Sequence, residues 1–317
     1  MKFKGFLDVL DRCNDVNQAR KEAGENFKNY GVYPQSINAY EGSWLFLARD
    51  DEKKSLVLYG KNSYYDDFEG FETGTCCKPV KICDLGNKNC EIIMKMFPFT
   101  RPSNHKGKKV TMGLGDRLGI ASPGHIRLLK KLPVFPVLAQ QSIRELNLTF
   151  RTYKDVLCAA AWAVFQEGYT SGYGADGDHL KTREEVEMAL ENGFTMITLD
   201  CSEHIDNTAA AYTQDEVDKK YEGFLNEEER QRLESRYMGK TIKLKCGTIL
   251  NFSWQDFKRI VLVYLKAVKY TIDIYNKVIK NCGRDIDFEM SIDETLTSTS
   301  PAAHYFVASE LLDGGVE

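Results

Sequence analysis

The fold of this 317-residue chain follows from residues 135–179, which read FPVLAQQSIRELNLTFRTYKDVLCAAAWAVFQEGYTSGYGADGDH. The segment opens with an apolar run at 135–139, continues with a helical pattern at 152–167 and returns to a short β-rich run at 169–175. A strand, a helix and a second strand in this order typically join parallel strands of one sheet. The segment therefore predicts an α/β fold.

The same alternation continues on both sides of this segment. The further predicted elements are a strand at 109–114, a helix at 122–131, a helix at 182–191, strands at 194–199 and 287–292, and a helix at 301–312. The first of these helices begins with Ser122 and Pro123, which suit an N-cap and a first turn. Strands that alternate with helices indicate either a doubly wound parallel sheet or a closed barrel.

The composition of the chain changes near residue 108. Residues 1–107 predict a small N-terminal α+β lobe, which ends in a linker with proline, glycine and basic residues. Residues 108–317 hold the β/α units, with a charged and mostly helical insertion at about 203–255. This insertion is equally compatible with a lid and with a decoration that takes no part in chemistry.

Bulk composition excludes several classes of protein. The chain is 43% hydrophobic and 28% charged with a net charge of -4, and it lacks the basic balance of nucleic-acid binders. No apolar run approaches the ~18 residues that a membrane span requires. Acidic residues interrupt the apolar N-terminus, unlike a signal peptide. We therefore expect a cytoplasmic protein without a nucleic-acid or membrane partner.

The nine cysteines are expected to be reduced thiols, because the sequence shows no export signal. Four of them are close in sequence: Cys76, Cys77, Cys83 and Cys90. Their spacing does not form the two short cysteine pairs of a structural zinc site, so a loop of small residues is the favoured interpretation over zinc.

Polar residues follow every predicted strand. They are Gly115-Asp116-Arg117, Gln140-Gln141-Ser142, Asp176-Gly177-Asp178-His179, Asp200 to His204, and Asp293-Glu294-Thr295. In parallel α/β folds the carboxyl ends of the strands and the loops after them carry the active site. The polar strand ends therefore predict an enzyme site at this edge of the sheet.

The last predicted strand carries a second signal, since apolar and polar residues alternate strictly in it. Such alternation points Glu289 and its polar neighbours to one face and Phe288 and its apolar neighbours to the other. If helices cover the apolar face, Glu289 lies desolvated inside the barrel and becomes a candidate general acid or base. The alternative is an edge strand whose polar face contacts water.

Two further motifs have competing interpretations. Asp178 and His179 place a candidate base and a candidate metal ligand in one loop, although a capping Asp beside a surface His gives the same pattern. Arg117 presents a two-pronged donor that suits a substrate carboxylate, with a surface salt bridge as the alternative. The glycines from Gly113 to Gly119 do not match a dinucleotide fingerprint, because the third glycine comes one place too late.

Six segments together resemble the tagaturonate/fructuronate epimerase family. They are Gly115-Asp-Arg-Leu-Gly119, Ala139-Gln-Gln-Ser142, Val164-Phe-Gln-Glu-Gly168, Gly174-Ala-Asp-Gly-Asp-His179, Gly193-Phe-Thr-Met196 and Ser291-Ile-Asp-Glu-Thr295. They keep the family's order and spacing from about Gly113 onward. The N-terminal lobe matches poorly, and its cysteine cluster is not expected from the family.

The resemblance implies a (β/α)8 TIM-type barrel that depends on a divalent metal cation and interconverts two keto-uronates. By position it implies Asp178 as proton acceptor, His179 as metal ligand and Glu289 as proton donor, with Glu294 as second choice. The residues expected to bind substrate are Asp116, Arg117, Gln141 and Glu294. Because about five β/α units do not close an eight-stranded barrel, the chain is expected to be part of a longer protein.

The chemistry of the implied substrates favours a retro-aldol hypothesis. The inverted carbon bears a hydroxyl group and lies one position beyond the carbon next to the ketone, so simple enolisation does not acidify its hydrogen. Metal polarisation of the ketone and removal of the hydroxyl proton by a carboxylate would cleave and reform the bond, with direct deprotonation as the competing scheme. Alternative functions are a metal-dependent sugar-acid aldolase or lyase and a non-catalytic sugar-acid binding protein.

Overall fold

The structure is a computed structural model that describes residues 3–27, 30–51, 53–73, 78–105, 107–292 and 298–317. The chain divides into two compact units. The first comprises Met1–Asp178 and Glu191–Met196, and the second comprises His179–Leu190 and Ile197–Glu317.

An antiparallel sheet forms the N-terminal part of the first unit. Its strands are β1 (Asn38–Tyr40), β2 (Ser43–Asp50), β3 (Lys53–Tyr59), β4 (Gly70–Thr73) and β5 (Val80–Cys83). They are arranged in the order β1-β2-β3-β5-β4. The helices beside them are α1 (Lys4–Leu10), α2 (Val16–Asn26) and α3 (Asn87–Met96).

The β/α elements follow. In the first unit they are β6 (Thr111–Gly113), α4 (Ser122–Leu129), β7 (Phe135–Ser142), α5 (Ile143–Thr149), α6 (Tyr153–Glu167) and β8 (Gly174–Leu180), whose last residues belong to the second unit. The second unit continues with α7 (Arg183–Glu191), β9 (Met196–Asp200), α8 (Gln214–Glu222), α9 (Glu227–Tyr237), β10 (Thr241–Lys243), β11 (Ile249–Asn251), α10 (Trp254–Ile274), β12 (Asp287–Ser291) and α11 (Pro301–Asp313).

The β/α strands form a five-stranded sheet in the described part of the chain, in the order β12-β9-β8-β7-β6. The β6–β7 and β7–β8 pairs are parallel, as the alternation of strands and helices predicted. The α/β class is confirmed, and this sheet is compatible with part of a TIM-type barrel. Closure into eight strands stays a prediction.

The N-terminal sheet is covered on both faces because its strands alternate. Leu45 and Leu47 of β2 belong to a hydrophobic core that also contains residues of α3 and α6. Phe46, which points to the opposite face, packs in a second core with α1 and α2. Trp162 of α6 lies in the first of these cores, so the N-terminal sheet and a β/α helix share one interior.

The two compact units do not divide at residue 107, and the domain boundary near 107 stays a prediction.

The third β/α strand lies further along the chain than predicted. It spans Gly174–Leu180 rather than residues 169–175, because Tyr169 and Tyr173 are buried in the connection before the strand. The strand itself runs through Asp176, which is fully buried and accepts a hydrogen bond from the Gln140 side chain at 3.2 Å. Packing of neighbouring strands therefore overrides the low β propensity of this glycine- and aspartate-rich stretch.

The insertion is fixed to the helices of the second unit. Lys258 of α10 forms an ion pair with Asp218 of α8 at 2.6 Å, and Lys269 pairs with Glu229 of α9 at 2.7 Å. Glu310 of α11 is buried and accepts a hydrogen bond from Tyr237 at 2.7 Å. These contacts favour a fixed structural element over a lid. In the part of the chain that the structure describes, no helix has the length and apolar composition needed to cross a membrane.

Candidate active site

The side chain of Asp116 follows β6 and caps the start of α4. Its carboxylate accepts hydrogen bonds from the backbone amides of Ile120, Ala121 and Ser122 at 2.8–2.9 Å and from the Ser122 hydroxyl at 2.7 Å. Burial alone would raise the pKa of Asp116, but the bonds from Ser122, Ala121 and Ile120 more than offset it and lower the pKa. These contacts give Asp116 a structural role, and its proposed substrate contact stays a prediction.

Gln141 and Arg151 hold the loop after β6 against the end of β7. The fully buried Gln141 donates from Nε2 to the backbone oxygen of Arg117 at 3.2 Å. Its Oε1 accepts from Arg151 at 3.1 Å, and Arg151 also donates to the Arg117 oxygen at 3.2 Å. Gly119 has a φ of +72°, and a Cβ there would lie 2.8 Å from the Arg151 guanidinium. Gln141 therefore positions a loop, and sequence reasoning missed Arg151.

Arg117 forms the salt bridge that the sequence left as an alternative. Its Nε lies 2.5 Å from Oε1 of Glu145, whose side chain is largely buried in α5. The side chain of Arg117 remains 72% exposed despite this salt bridge. The salt bridge orients Arg117 and leaves its role as a carboxylate-binding residue a prediction.

Asp178 lies within β8 rather than in a loop after it. Its backbone is opposite Ser142 of β7 in the parallel register, and its side chain is half-buried. Asp176, two residues earlier, is fully buried and bonded to Gln140. Of the two carboxylates, only that of Asp178 is partly accessible to a ligand.

His179 has an unusual backbone conformation. Its φ of +55° lies in the left-handed region, although it stands inside a strand. Non-glycine residues in this region carry strain and occur disproportionately at functional sites. The side chain is half-buried. This conformation supports a functional role for His179.

A charged cluster in the second unit surrounds Asp200, at the end of β9. Asp200 is 3% exposed, accepts the Ser202 backbone amide at 2.8 Å and lies 3.5 Å from the Lys181 ammonium. Lys181 also approaches the Ser202 hydroxyl at 3.2 Å and the Glu203 carboxylate at 3.7 Å. Sequence reasoning named Asp200 but missed Lys181, because the strand before Lys181 was predicted to end five residues too early.

Aromatic contacts fix the neighbours of this cluster. The imidazole of His204 stacks on Tyr270 of α10 with ring centroids 4.0 Å apart. The Tyr270 hydroxyl donates to the backbone oxygen of Lys181 at 2.7 Å. The structure therefore gives His204 a packing role beside the cluster.

The alternation in β12 is confirmed, but the predicted burial of Glu289 is wrong. Phe288 packs against Tyr275 with ring centroids 5.2 Å apart, as expected for a helix-covered face. Glu289, on the other face, is exposed. A strand at the edge of the described sheet leaves this polar face open to water, which was the alternative interpretation. Glu294 lies outside the described residues.

Candidate metal ligands do not converge in the described part of the chain. No three His, Cys, Asp or Glu side chains there lie close enough together to hold a metal ion. The described residues alone therefore do not fit a metal centre around His179. Cys83 and Cys90 are free, buried thiols, whereas Cys76 and Cys77 lie outside the described residues.

Carboxylates, an imidazole and other charged side chains after the strands of a parallel sheet are the arrangement in which α/β enzymes place their active sites. Comparison with known proteins identifies the group. The family model described as "UxaE: tagaturonate epimerase" matches residues 33–317, and the chain belongs to this family.

Relatives of known sequence and structure agree with this assignment. The chain is 38% identical over 292 residues to the tagaturonate/fructuronate epimerase of Thermotoga maritima, covering 92% of this chain and 59% of that protein. A glycerol-bound crystal structure of the fructuronate-tagaturonate epimerase UxaE from Cohnella laeviribosi is 46% identical with a TM-score of 0.86, over 95% of this chain and 60% of that one. The native structure of the Cohnella enzyme is 48% identical with a TM-score of 0.85, over 90% and 57%. The chain thus spans about three fifths of the length of these relatives.

Proposed function

We propose that the protein to which this chain belongs interconverts tagaturonate and fructuronate, and is therefore an isomerase. The observation that carries the proposal is the family match over residues 33–317. The partly accessible Asp178 and the strained His179, adjacent residues of β8, support it from the structure. Nothing in the strand-end geometry favours the lyase or the non-catalytic binding alternative.

Asp178 is the proposed proton acceptor. In a retro-aldol step, its carboxylate takes the proton of the hydroxyl on the inverted carbon. That carbon becomes an aldehyde, and the electrons of the broken carbon–carbon bond pass to the ketone as an enolate. The aldehyde then presents its other face, the bond re-forms, and a separate proton donor protonates the new alkoxide, after which this donor and Asp178 return to their starting states by proton exchange with water.

The other residues support this step. Arg117, exposed beyond its pair with Glu145, is the proposed partner of the substrate carboxylate. Glu289 is the proposed proton donor, with Glu294 as second choice. A divalent cation with His179 as one ligand is a further proposal, and no step above depends on it.

A direct assay tests the activity. The 317-residue chain and the longest reading frame that contains it are incubated with tagaturonate, and fructuronate is measured by nuclear magnetic resonance. We expect conversion that Asp178→Asn reduces by roughly 10²-fold or more, the range of a general base. Asp218→Asn, which removes a carboxylate paired with Lys258 in the insertion, is the matched control and should retain activity.

Two outcomes would separate the parts of the proposal. Absence of fructuronate in every form would refute the epimerase assignment. Deuterium at the inverted carbon after turnover in heavy water would instead keep the epimerase and reject the retro-aldol step. The metal proposal is tested separately by elemental analysis of the purified protein with and without His179→Ala.

A further inference from the structure

The ends of two neighbouring strands in the second unit bring an ammonium group close to two carboxylates. Lys181 directly follows β8, Asp200 is the last residue of β9, and Glu203 lies in the short helical turn after it. The Lys181 Nζ lies 3.5 Å from Oδ2 of Asp200 and 3.7 Å from Oε1 of Glu203. Since β8 and β9 are adjacent in the sheet, this charged cluster lies at the end of the strands where α/β enzymes hold their substrates.

Hydrogen bonds hold both members of the Lys181–Asp200 pair in place. The backbone amide of Lys181 donates to Oε2 of Glu185 at 2.7 Å, and its backbone oxygen accepts from the Tyr270 hydroxyl at 2.7 Å. The carboxylate of Asp200 is held through Oδ1, which accepts the Ser202 backbone amide at 2.8 Å. The fixed backbone of Lys181 and the oriented carboxylate of Asp200 are features of a pre-organised binding site.

The two charged groups attract each other but are too far apart for a good hydrogen bond. Such bonds between nitrogen and oxygen usually measure about 2.7–3.2 Å, and the distance here is 3.5 Å. An ammonium group has three N–H donors. Among the described residues, that of Lys181 has one hydrogen bond, to the Ser202 hydroxyl at 3.2 Å. Donors of Lys181 and Oδ2 of the buried Asp200 therefore remain available to a ligand, and the 38% exposure of the Lys181 side chain leaves the pair accessible.

The charges of the cluster indicate which chemical group fits between Lys181 and Asp200. The ammonium faces two carboxylates, those of Asp200 and Glu203, so an anionic group would be repelled by both of them. A hydroxyl group fits, because it donates one hydrogen and accepts through its lone pairs. Placed between Nζ and Oδ2, it accepts from the ammonium and donates to the carboxylate. Both of these hydrogen bonds are strengthened by a charged partner.

We propose that Lys181 and Asp200 together bind a hydroxyl group of the sugar-acid substrate. This inference rests on the proposed function, because it takes the keto-uronate as the ligand, and it identifies the residues that hold the uncharged, hydroxylated part of that molecule. A hydroxyl group held at a fixed position aligns the carbon chain for the removal of a proton elsewhere on it. Loss of either residue therefore weakens binding and also lowers the rate of turnover.

Calorimetric titration with galactonate tests the proposal on the longest reading frame that contains this chain. Galactonate has the hydroxyl groups of a sugar acid but no ketone, so binding is measured without turnover. We expect Lys181→Met and Asp200→Asn each to weaken binding about tenfold, the effect of one charge-assisted bond, with little further loss in the double variant. Lys277→Met is the matched control, because Lys277 forms an i,i+4 pair with Asp273 and their side chains are 64% and 44% exposed. The control should bind galactonate as the parent does.

Two further measurements guard against a folding defect and against the wrong ligand group. If circular dichroism shows that Lys181→Met is unfolded, Lys181→Gln replaces it, since glutamine keeps an N–H donor and loses the charge. Hexanoate has the chain length of galactonate but no hydroxyl group. If hexanoate displaced galactonate from the parent but not from Lys181→Met, Lys181 would pair with the ligand carboxylate and the proposal would be overturned. Equal affinity of the parent and both variants for galactonate would also overturn it.

The tagaturonate assay separates a failure of this inference from a failure of the proposed function. We expect kcat/KM for tagaturonate to fall at least about tenfold in Lys181→Met. If fructuronate forms and the variant equals the parent in both assays, only the inference fails. If no fructuronate forms while Lys181→Met weakens the binding of galactonate, only the epimerase assignment fails. A parent protein that neither binds galactonate nor forms fructuronate would overturn both, and one that only forms fructuronate is judged on kcat/KM.

Discussion

Two buried carboxylates that follow strands differ in how fully they are bonded. Asp116, after β6 in the first unit, is 7% exposed and accepts four hydrogen bonds from its own loop and the start of α4. Asp200, at the end of β9 in the second unit, is 3% exposed but accepts one backbone amide and faces the Lys181 ammonium at 3.5 Å. Position after a strand therefore does not by itself identify a catalytic group. A saturated carboxylate stabilises a loop, whereas one with a long ion pair can change partners during a reaction.

The largest expected effect is on stability, through Asp116. Asp116→Ala removes the acceptor of four hydrogen bonds and should lower the free energy of unfolding by roughly 2–4 kcal/mol. Urea titration measures the change. Asp116→Asn, which keeps one acceptor oxygen, should cost less. A loss below about 0.5 kcal/mol for Asp116→Ala would contradict the interpretation that Asp116 stabilises its loop.

The same residue predicts a pH dependence. The pKa of Asp116 is lowered because the bonds from Ser122, Ala121 and Ile120 outweigh burial, so the folded protein stabilises the charged form. The parent protein should therefore be more stable than Asp116→Asn. This difference in the free energy of unfolding is fully present above the ordinary carboxyl pKa of about 3.9 and is lost as the pH falls through the lower pKa of Asp116 in the folded protein. Urea titrations between about pH 6 and pH 3 should show the difference narrowing in acid. If the difference in stability between the parent and Asp116→Asn widened in acid, the pKa of Asp116 would not be lowered in the folded protein.

Substitution of Arg151 is expected to have an intermediate effect on stability. Arg151→Met keeps much of the aliphatic stem but leaves Oε1 of Gln141 and the backbone oxygen of Arg117 without this donor. We expect a loss of roughly 1–2 kcal/mol in the free energy of unfolding and a higher KM, because the loop that carries Arg117 is less well positioned. Arg183→Met is the control, since Arg183 forms a partly exposed i,i+4 pair with Glu187 at 3.9 Å. A KM equal to that of the parent would limit Arg151 to folding.

Asp200 should show the smallest effect on stability and a clear effect on rate. Asp200→Asn keeps the size of the side chain and an acceptor for the Ser202 amide, so the free energy of unfolding should change by less than about 1 kcal/mol. If Lys181 and Asp200 act together, kcat should fall at least about tenfold in Asp200→Asn and in Lys181→Met, with little further loss in the double variant. Additive losses would show that the two residues act independently.

The fold was largely predictable because the period of the apolar pattern changes between strands and helices. The third strand was misplaced because Tyr169 and Tyr173 have higher β propensity than Gly174, Asp176 and Gly177, and only packing against β7 decides the outcome. This displacement also hid Lys181 as a strand-end residue.

The site was predictable only in part, since a sequence pattern identifies faces but not what covers them. In β12 the alternation correctly separated Phe288 from Glu289, yet the exposure of Glu289 depends on which neighbours the strand has. The carboxylate of Asp116 was recognised as a strand-end group. Its full set of hydrogen bonds, however, depends on the turn that brings Ser122 close to it. Arg151 lies ten residues from Gln141 in sequence, and no local pattern marks their contact.

The hydrophobic core that α6 shares with the N-terminal sheet limits which parts of such a protein can be exchanged. Val164, Phe165 and Gln166 are consecutive and all buried, so this part of α6 presents no solvent face. Phe165 packs with Phe97 of the N-terminal part, at 5.5 Å between ring centroids. A chimera that exchanges the first 107 residues for an unrelated lobe would expose that side of α6. The N-terminal sheet and the first β/α units are thus expected to be inherited together rather than shuffled as separate modules.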